Sequence, residues 1–534
     1  MNKTQFDNYN NIPVEKFAFA KARDTKHDAK LDTKPIGYFR DAFNRFKKNK
    51  ASLVAAIIII ILVIYALIAP LFVDQDFQNS YASTKELLRY KQLLPRLEIF
   101  DGTGFWDGTK VEEVTQNRLY ELMGMEVEVG YPALQKQLGT FEVENIDGSL
   151  TTKYKVRVNT YYANNAFNMT FTSEQYAAIQ EWQNKTGIQV ILPRVQNPVN
   201  NPKNPPTRYV NLNIWYKCDA RGNPVDAMGK PLRDNDPSKL VPSYFVTTAT
   251  DVDDYNSIRL ETDLLKDPGN WSYAFRTGSK GAYNYICRVS AYNYFQYLYE
   301  FEPSFIFGTD GNGYDIFSRL AKGARFSFLL AIAVAAINLT IGAIYGAIEG
   351  YFGGVTDMVM ERISDLLSGV PSMVVTILFQ LHLASKVGVV GALLYAFVLT
   401  GWIGMASRVR MQFYRFKNQE YVLAARTLGA KDWRIIWKHI FPNTLGTIIT
   451  SCVLVIPGVI FSETSLSYLG IINLDSATMS SVGSMLAAGQ SVMNHSPHVI
   501  FFPALFIALL EICFNLFGNG LRDAFNPSLR GTED

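Results

Sequence analysis

Three closely spaced aspartates, Asp251, Asp253 and Asp254, are the first grouping in this 534-residue chain that could hold a divalent cation. A calcium loop of the EF-hand type also needs a glycine at its sixth position and a bidentate glutamate at its twelfth. Asn256 and Thr262 stand there instead, so the trio reads as a solvated acidic turn. The four cysteines have no metal-ligand spacing: Cys452 and Cys513 fall in apolar runs, Cys218 and Cys287 in polar sequence. His382, His439, His495 and His498 are dispersed, and no metal site is expected. There is no phosphate-cradling GxxxxGK[ST] loop and no nucleophile elbow, so the chain reads neither as an ATPase nor as another enzyme. Two carboxylates carry more weight. Glu463 and Glu511 lie in apolar runs, where a charge at bilayer depth is expensive and is by default functional or paired. Glu463, in Ser462-Glu463-Thr464-Ser465-Leu466-Ser467, reads as pore-facing, as an interhelical hydrogen-bonding group, or as snorkelling to the interface. Glu511 reads as protonated or paired with a polar neighbour, and Asn338, Gln380 and His382 read as links between helices.

These groups need membrane helices to position them. The chain is 48% hydrophobic, with 51 basic and 48 acidic residues for a net charge of +3, which suits a mixture of membrane and aqueous parts and gives no sign of a nucleic-acid partner. Residues 51–72 form a nearly pure aliphatic run, long enough as a helix to cross the ~30 Å apolar layer. Further runs near Phe326–Ile348, Leu366–Ala384, Gly388–Met405, Leu445–Leu469 and Val499–Phe517 bring the expected total to six spans. Lys and Arg beside spans tend to stay in the cytoplasm. Arg45, Lys47, Lys48 and Lys50 therefore place the N-terminal segment, 1–50, inside. The link between the fourth and fifth spans is equally basic, from Arg408 and Arg410 to Lys438, while Gly470 to His498 holds no Lys or Arg. Both agree with cytoplasmic N- and C-termini in the plasma membrane, in contact with its lipid. Arg319, Lys322 and Arg325 oppose this topology, on a side where a long translocated segment weakens the rule.

Residues 73–303 form a polar, aromatic-rich insert between the first two spans, expected outside the cell as an α+β domain. Tyr154, Val156 and Val158 alternate with polar residues as in a half-buried strand, and Thr172 with Gln175 forms a capping box for a helix ending near Gly187. Tyr209 to Tyr216 is a second strand candidate after the proline-rich loop Asn197 to Pro206. The run Tyr283, Tyr285, Tyr292, Tyr294, Phe295, Tyr297 and Tyr299 either grips a ligand or packs the domain. Cys218 and Cys287, facing an oxidising exterior, are candidates for a disulfide.

The most specific pattern lies in the basic link, within residues 410–443. Glu420-Tyr421-Val422-Leu423-Ala424-Ala425 has helix-forming character, Gly429 permits a sharp turn, and a second helical stretch leads into His439-Ile440-Phe441-Pro442-Asn443. The outcome is a short helix-turn-helix at the membrane surface, in which Ala424 and Ala425 leave little bulk against a partner. This stretch resembles the EAA loop of ABC importer permeases. Upstream, Gly308-Thr309-Asp310, Phe317-Ser318-Arg319, Gly350-Tyr351-Phe352-Gly353-Gly354, Asp357, Arg362, Asp365 and Pro371 are similar to the oligopeptide/dipeptide permeases, as are Asn515-Leu516-Phe517-Gly518 and Gly520-Leu521-Arg522-Asp523 downstream. Leu423 stands where that family usually has the glutamate of the triplet, which puts Glu420 in view as its substitute.

The resemblance implies a six-span type I importer permease whose core is 304–520, with a tail at 521–534. It implies that Glu420, Tyr421, Leu423, Ala424, Ala425, Gly429 and Pro442 couple to ATPases. It further implies a homologous second permease subunit, two cytoplasmic ABC ATPases that bind ATP and Mg, an external substrate-binding protein and a peptide substrate. No cofactor is expected on this chain. Nickel or another small solute is the alternative cargo, and a surface receptor working through its insert is the alternative of a different class.

Overall fold

The computed structural model describes residues 38–72, 90–192, 257–259, 272–279, 282–474 and 480–525, apart from 116–117, 120–121, 123–130, 145–147, 149 and 164–165. Cys218, the acidic trio 251–254, the proline-rich loop 197–206 and the strand candidate 209–216 lie outside the described residues.

Helix α1 (Tyr38–Lys48) meets α2 (Lys50–Phe72) at Asn49, whose side chain accepts from the Ser52 amide. The aliphatic run of α2 offers little but apolar surface, so it is satisfied either by lipid or by other helices. The insert then builds two antiparallel sheets. The first has order β1–β3–β2, from β1 (Thr109–Thr115), β2 (Leu134–Glu144) and β3 (Leu150–Asn159). Val156 and Val158 of β3 are fully buried, as the alternation requires. A single turn, α3 (Thr160–Ala163), leads to β4 (Ala166–Thr172). Helix α4 (Ser173–Thr186) starts at the Thr172–Gln175 capping box and stops at Gly187, whose φ is 74°. The second sheet contains β4, β5 (Ile191–Leu192), β6 (Ser257–Arg259), β7 (Ser272–Ser279) and β8 (Ala282–Ser290), with β8 between β4 and β7 and also pairing β5. Helix α5 (Ala291–Tyr299) closes the domain. Tyr292, Tyr294 and Phe295 are buried in its core with Phe167 and Phe171, and Tyr285, Tyr297 and Tyr299 pack against them. Those aromatics therefore hold the domain together rather than lining a surface.

The membrane part follows as α6 (Ile316–Phe352), α7 (Gly354–Ser368), α8 (Ser372–His382), α9 (Ala384–Gly401), α10 (Ile403–Phe416), α11 (Glu420–Thr427), α12 (Asp432–Arg434), a π-helical turn over Ile435–Ile440, α13 (Phe441–Tyr468), α14 (Val482–Val492) and α15 (His498–Phe525). Among the described residues, five stretches are long and apolar enough to cross a membrane. A sixth exists only if α7 and α8, bent by 70° at their junction, count as one. The straight span expected at Leu366–Ala384 is therefore broken, because Pro371 has no N–H to donate and disfavours helical backbone at Val370. Helix α15 also runs on to Phe525, so 521–525 continue the last helix instead of forming a tail.

Helix α6, 37 residues long, is the centre of the bundle and packs against α2, α10 and α13. Its contact with α10 is close because Gly342, Gly346 and Gly350 share one face: a Cβ on Gly346 would lie 2.2 Å from the Ala406 carbonyl oxygen. The insert is joined to the bundle by backbone pairing. Gln92 N donates to Asp310 O at 2.9 Å, Thr309 N to Leu93 O at 2.9 Å and Arg96 N to Phe305 O at 2.9 Å. The Arg319 guanidinium, anomalous by charge, is held by Asp310 at 2.6 Å and by Ser480 at 3.2 Å.

Candidate functional site

Two features stand out, an elbow beyond α10 and a cavity among the spans. In the elbow, α11 ends as Leu428 N returns to Ala424 O, Gly429 N to Arg426 O and Ala430 N to Ala425 O, with Gly429 at φ +82°. A side chain there would pay the left-handed penalty, and the reversal it permits turns the chain into α12. Pro442 lies just past the π-helical turn over Ile435–Ile440, where the continuous helix 432–468 is already irregular.

The elbow is fastened from beneath. Val422 is fully buried with Phe413 of α10, Ala347 and Tyr351 of α6, and Ile435, Ile436 and Ile440. Arg426 donates to the Tyr351 hydroxyl at 3.3 Å, and that hydroxyl donates to Asp432 at 2.5 Å. Arg410 makes a two-pronged pair with Asp357 at 2.5 and 2.9 Å, with Glu349 at 3.5 Å and Glu361 at 3.4 Å nearby, and Tyr414 donates to Asp357 at 2.7 Å. Lys417 donates to the Gly350 carbonyl at 2.9 Å. Burial pulls this ammonium below the usual lysine range, against the pull of Asp357. Gly350, Tyr351 and Asp357, noted in sequence only as family pattern, are thus the seat on which the elbow rests.

The outward side of the elbow is apolar and uncovered. Leu428 is 88% exposed and Trp433 62%, and Tyr421, Leu423 and Ala424 are exposed with them, whereas Ala425 is half-buried. Glu420 is exposed in the first turn of α11. Large apolar side chains exposed together amid basic residues suit contact with a protein partner or a membrane surface.

The cavity, about 490 Å³ and open on one side, is lined by α6, α8, α9 and α13. Its polar lining is Asn338, Ser372, Thr376, Thr400, Ser462 and Ser465, and among the described residues no ionisable side chain lines it. Thr376 and Ser462 donate to carbonyls of their own helices, Ser372 O and Gly458 O, which leaves oxygen lone pairs toward the space. Asn338 donates to Phe397 O across to α9 at 3.4 Å, and its buried Oδ1 has no hydrogen-bond partner. Sequence reading made Asn338 a helix link only, and its place at the cavity wall emerges from the fold.

The two intramembrane glutamates are not in this cavity. Glu463 is wholly buried and accepts from Ser327 of α6 at 2.8 Å and Ser467 at 2.9 Å, so it joins helices. Glu511, on α15, is half-buried, and its Oε1 has no hydrogen-bond partner. Gln380 donates to Val389 O at 3.0 Å, while His382 is exposed. Among the described residues Cys287, buried in the core of the insert, has no disulfide partner, and burial pushes its pKa up.

Known proteins are similar in sequence over the membrane part. The family model described as binding-protein-dependent transport system inner membrane component matches residues 338–531, and the N-terminal transmembrane domain of oligopeptide transport permease C matches residues 37–92. The oligopeptide transport system permease protein OppC of Bacillus subtilis is 45% identical over 224 residues, 42% of this chain and 72% of that protein. The chain belongs to the oligopeptide/dipeptide permease family. The dipeptide transport system permease protein DppC of Bacillus subtilis is 43% identical over 225 residues, covering 42% of this permease and 69% of the relative. The glutathione transport system permease protein GsiD of Pectobacterium atrosepticum is 34% identical over 249 residues, 46% and 81% of the two chains. This permease is a non-catalytic, multi-pass helical membrane subunit of an ABC importer. Both matched regions leave out 93–337, which includes nearly all the described insert.

Proposed function

We propose that this permease forms half of the translocation path of an ATP-driven peptide importer, with a homologous permease as the other half. Two cytoplasmic ATPases, which bind ATP and Mg, dock on the elbow, and a substrate-binding protein delivers peptide on the opposite face. The observation that carries the reading is the uncovered apolar face of Leu428 and Trp433 on an elbow fastened to α6 and α10, since α6 also walls the cavity. A push on the elbow reaches the cavity through one helix. Peptide cargo is supported by relatives named for oligopeptide, dipeptide and glutathione transport. A neutral, hydroxyl-lined space suits it, because backbone amides are common to every peptide and side-chain charges are not. In this topology both termini are cytoplasmic and the insert is external, where it helps seat the binding protein or guards the entrance.

The test is to carry Ala425→Asp and Gly429→Val in the assembled transporter. A charge buried without a partner at the docked face costs about 3–5 kcal/mol. Both variants should reach the membrane at normal abundance but lose ATPase co-purification and ATP-dependent peptide uptake. Normal docking and uptake by both would remove the coupling role from this loop.

A further inference from the structure

We propose that the insert carries its own membrane anchor, the loop 97–107, which dips into the lipid headgroup region beside the start of α15. The loop is pinched at its neck by the bridge between Arg96 and Asp107 and by Leu97 N donating to Trp106 O at 2.7 Å. Asp107 accepts from Gly104 N at 2.6 Å, and Arg96 ties Asp101 at 2.8 Å, so the tip is held in shape. What it presents is apolar: Ile99 is 85% exposed and Phe105 62%, with Phe100 also exposed. Phe105 stacks edge-on against both Phe100 and Trp106, at 6.0 and 5.4 Å between ring centres.

Its depth is fixed by a neighbour. Trp106 lies 5.5 Å from Phe502 of α15 and donates its indole N–H to Ile306 O. Phe502 is four residues beyond His498, about 6 Å along the helix axis from its start. Phe501 beside it is exposed on the outer face of α15, a helix long and apolar enough to cross a membrane. Trp106 thus stands at the level where indole rings gather at membrane interfaces, and the apolar tip continues the lipid-facing surface of α15. The loop itself holds Glu98, Asp101 and Asp107 but no Lys or Arg, and the guanidinium of Arg157 lies against its tip beside Gly104, so the anchor rests on its apolar side chains. Lipid is the occupant because the rings of Phe105, Trp106, Phe502 and Phe501 run on from the loop to the exposed apolar face of a helix long enough to cross a membrane, and this holds on whichever face the insert lies.

The experiment places an environment-sensitive fluorophore at Ile99→Cys in the full chain with its native cysteines replaced, in nanodiscs of zwitterionic lipid. Glu174→Cys on α4 serves as the aqueous reference. The label at 99 should emit to the blue of the reference, be quenched by lipid bearing a headgroup-level nitroxide, and resist iodide; anionic lipid should change neither result. Quenching by iodide alone would overturn the anchor. Protection from both quenchers would also overturn it, by showing that protein covers the loop. Phe105→Cys, labelled in the same way, repeats the measurement should the first variant express poorly.

Discussion

The two ends of this permease are built on different terms. At the elbow, short helices rest on ion pairs and one buried valine, and bulky apolar side chains are turned outward. At the opposite end, the insert is sewn to the spans through main-chain pairing between 92–96 and 305–310 and through rings stacked on Phe502. The first arrangement leaves affinity to spend on a partner. The second spends its contacts on the join itself and makes the inserted domain move with the helices that bear it. A surface awaiting a partner is thus recognised by exposed apolar groups over a polar seat, and an integrated domain by satisfied backbone at its join.

Substitutions can break or sharpen that contrast. The largest effect is expected from Gly346→Val, which forces α6 and α10 apart at a backbone contact and should lower stability in detergent by about 3 kcal/mol or more, read from the melting transition. Arg410→Ala leaves Asp357, Glu349 and Glu361 without their cation. It should cost about 2–3 kcal/mol, between values for surface and buried pairs, and speed hydrogen exchange in 420–440 while leaving the insert unchanged. Thr309→Val removes the hydroxyl that accepts from Leu93 N at 2.8 Å and donates to Tyr90 O, and should cost about 1–2 kcal/mol. Its exchange signature should appear at the join, in 90–96, and not at the elbow; a change at both ends would mean that the two are not independent. Leu428→Ala should alter stability by less than about 0.5 kcal/mol yet weaken ATPase binding measurably, the mark of a surface kept for another protein. The smallest effect concerns Cys287. Its raised thiol pKa and burial predict no reaction with maleimide at pH 8 in the folded chain and full reaction in denaturant; resistance in denaturant that reductant abolishes would reveal a pairing with Cys218.

Much of this was legible in the residues, for physical reasons that differ by region. Apolar runs announce spans because lipid demands them, and Thr172, Gln175 and Gly187 announced a helix because its ends must be capped. The turn at Gly429 was legible from the same need. The break between α7 and α8 was less so: Pro371 was noted as pattern, but hydropathy alone runs straight through it. Glu463 could be called a pore group or a helix link until Ser327, 136 positions earlier in the chain, was seen to donate to it. No local signal carries such a pairing. The cavity was hidden for the same reason, since its wall is assembled from four helices and its polar residues are ordinary serines, threonines and one asparagine.

Helix α6 is 37 residues long, hence about 55 Å from end to end, nearly twice the apolar thickness it crosses. One terminus is Asp315, which caps it beside the join to the insert; the other is Tyr351, gripped by Asp432 and Arg426. With its glycine face locked against α10, it is a stiff beam with one load point in each aqueous phase. Pivoted at the Asp315 end, a tilt of about 5° would carry Tyr351 about 5 Å, roughly one helical turn. A small rotation at the level of the insert is therefore a full step at the elbow, and the reverse gearing holds for force.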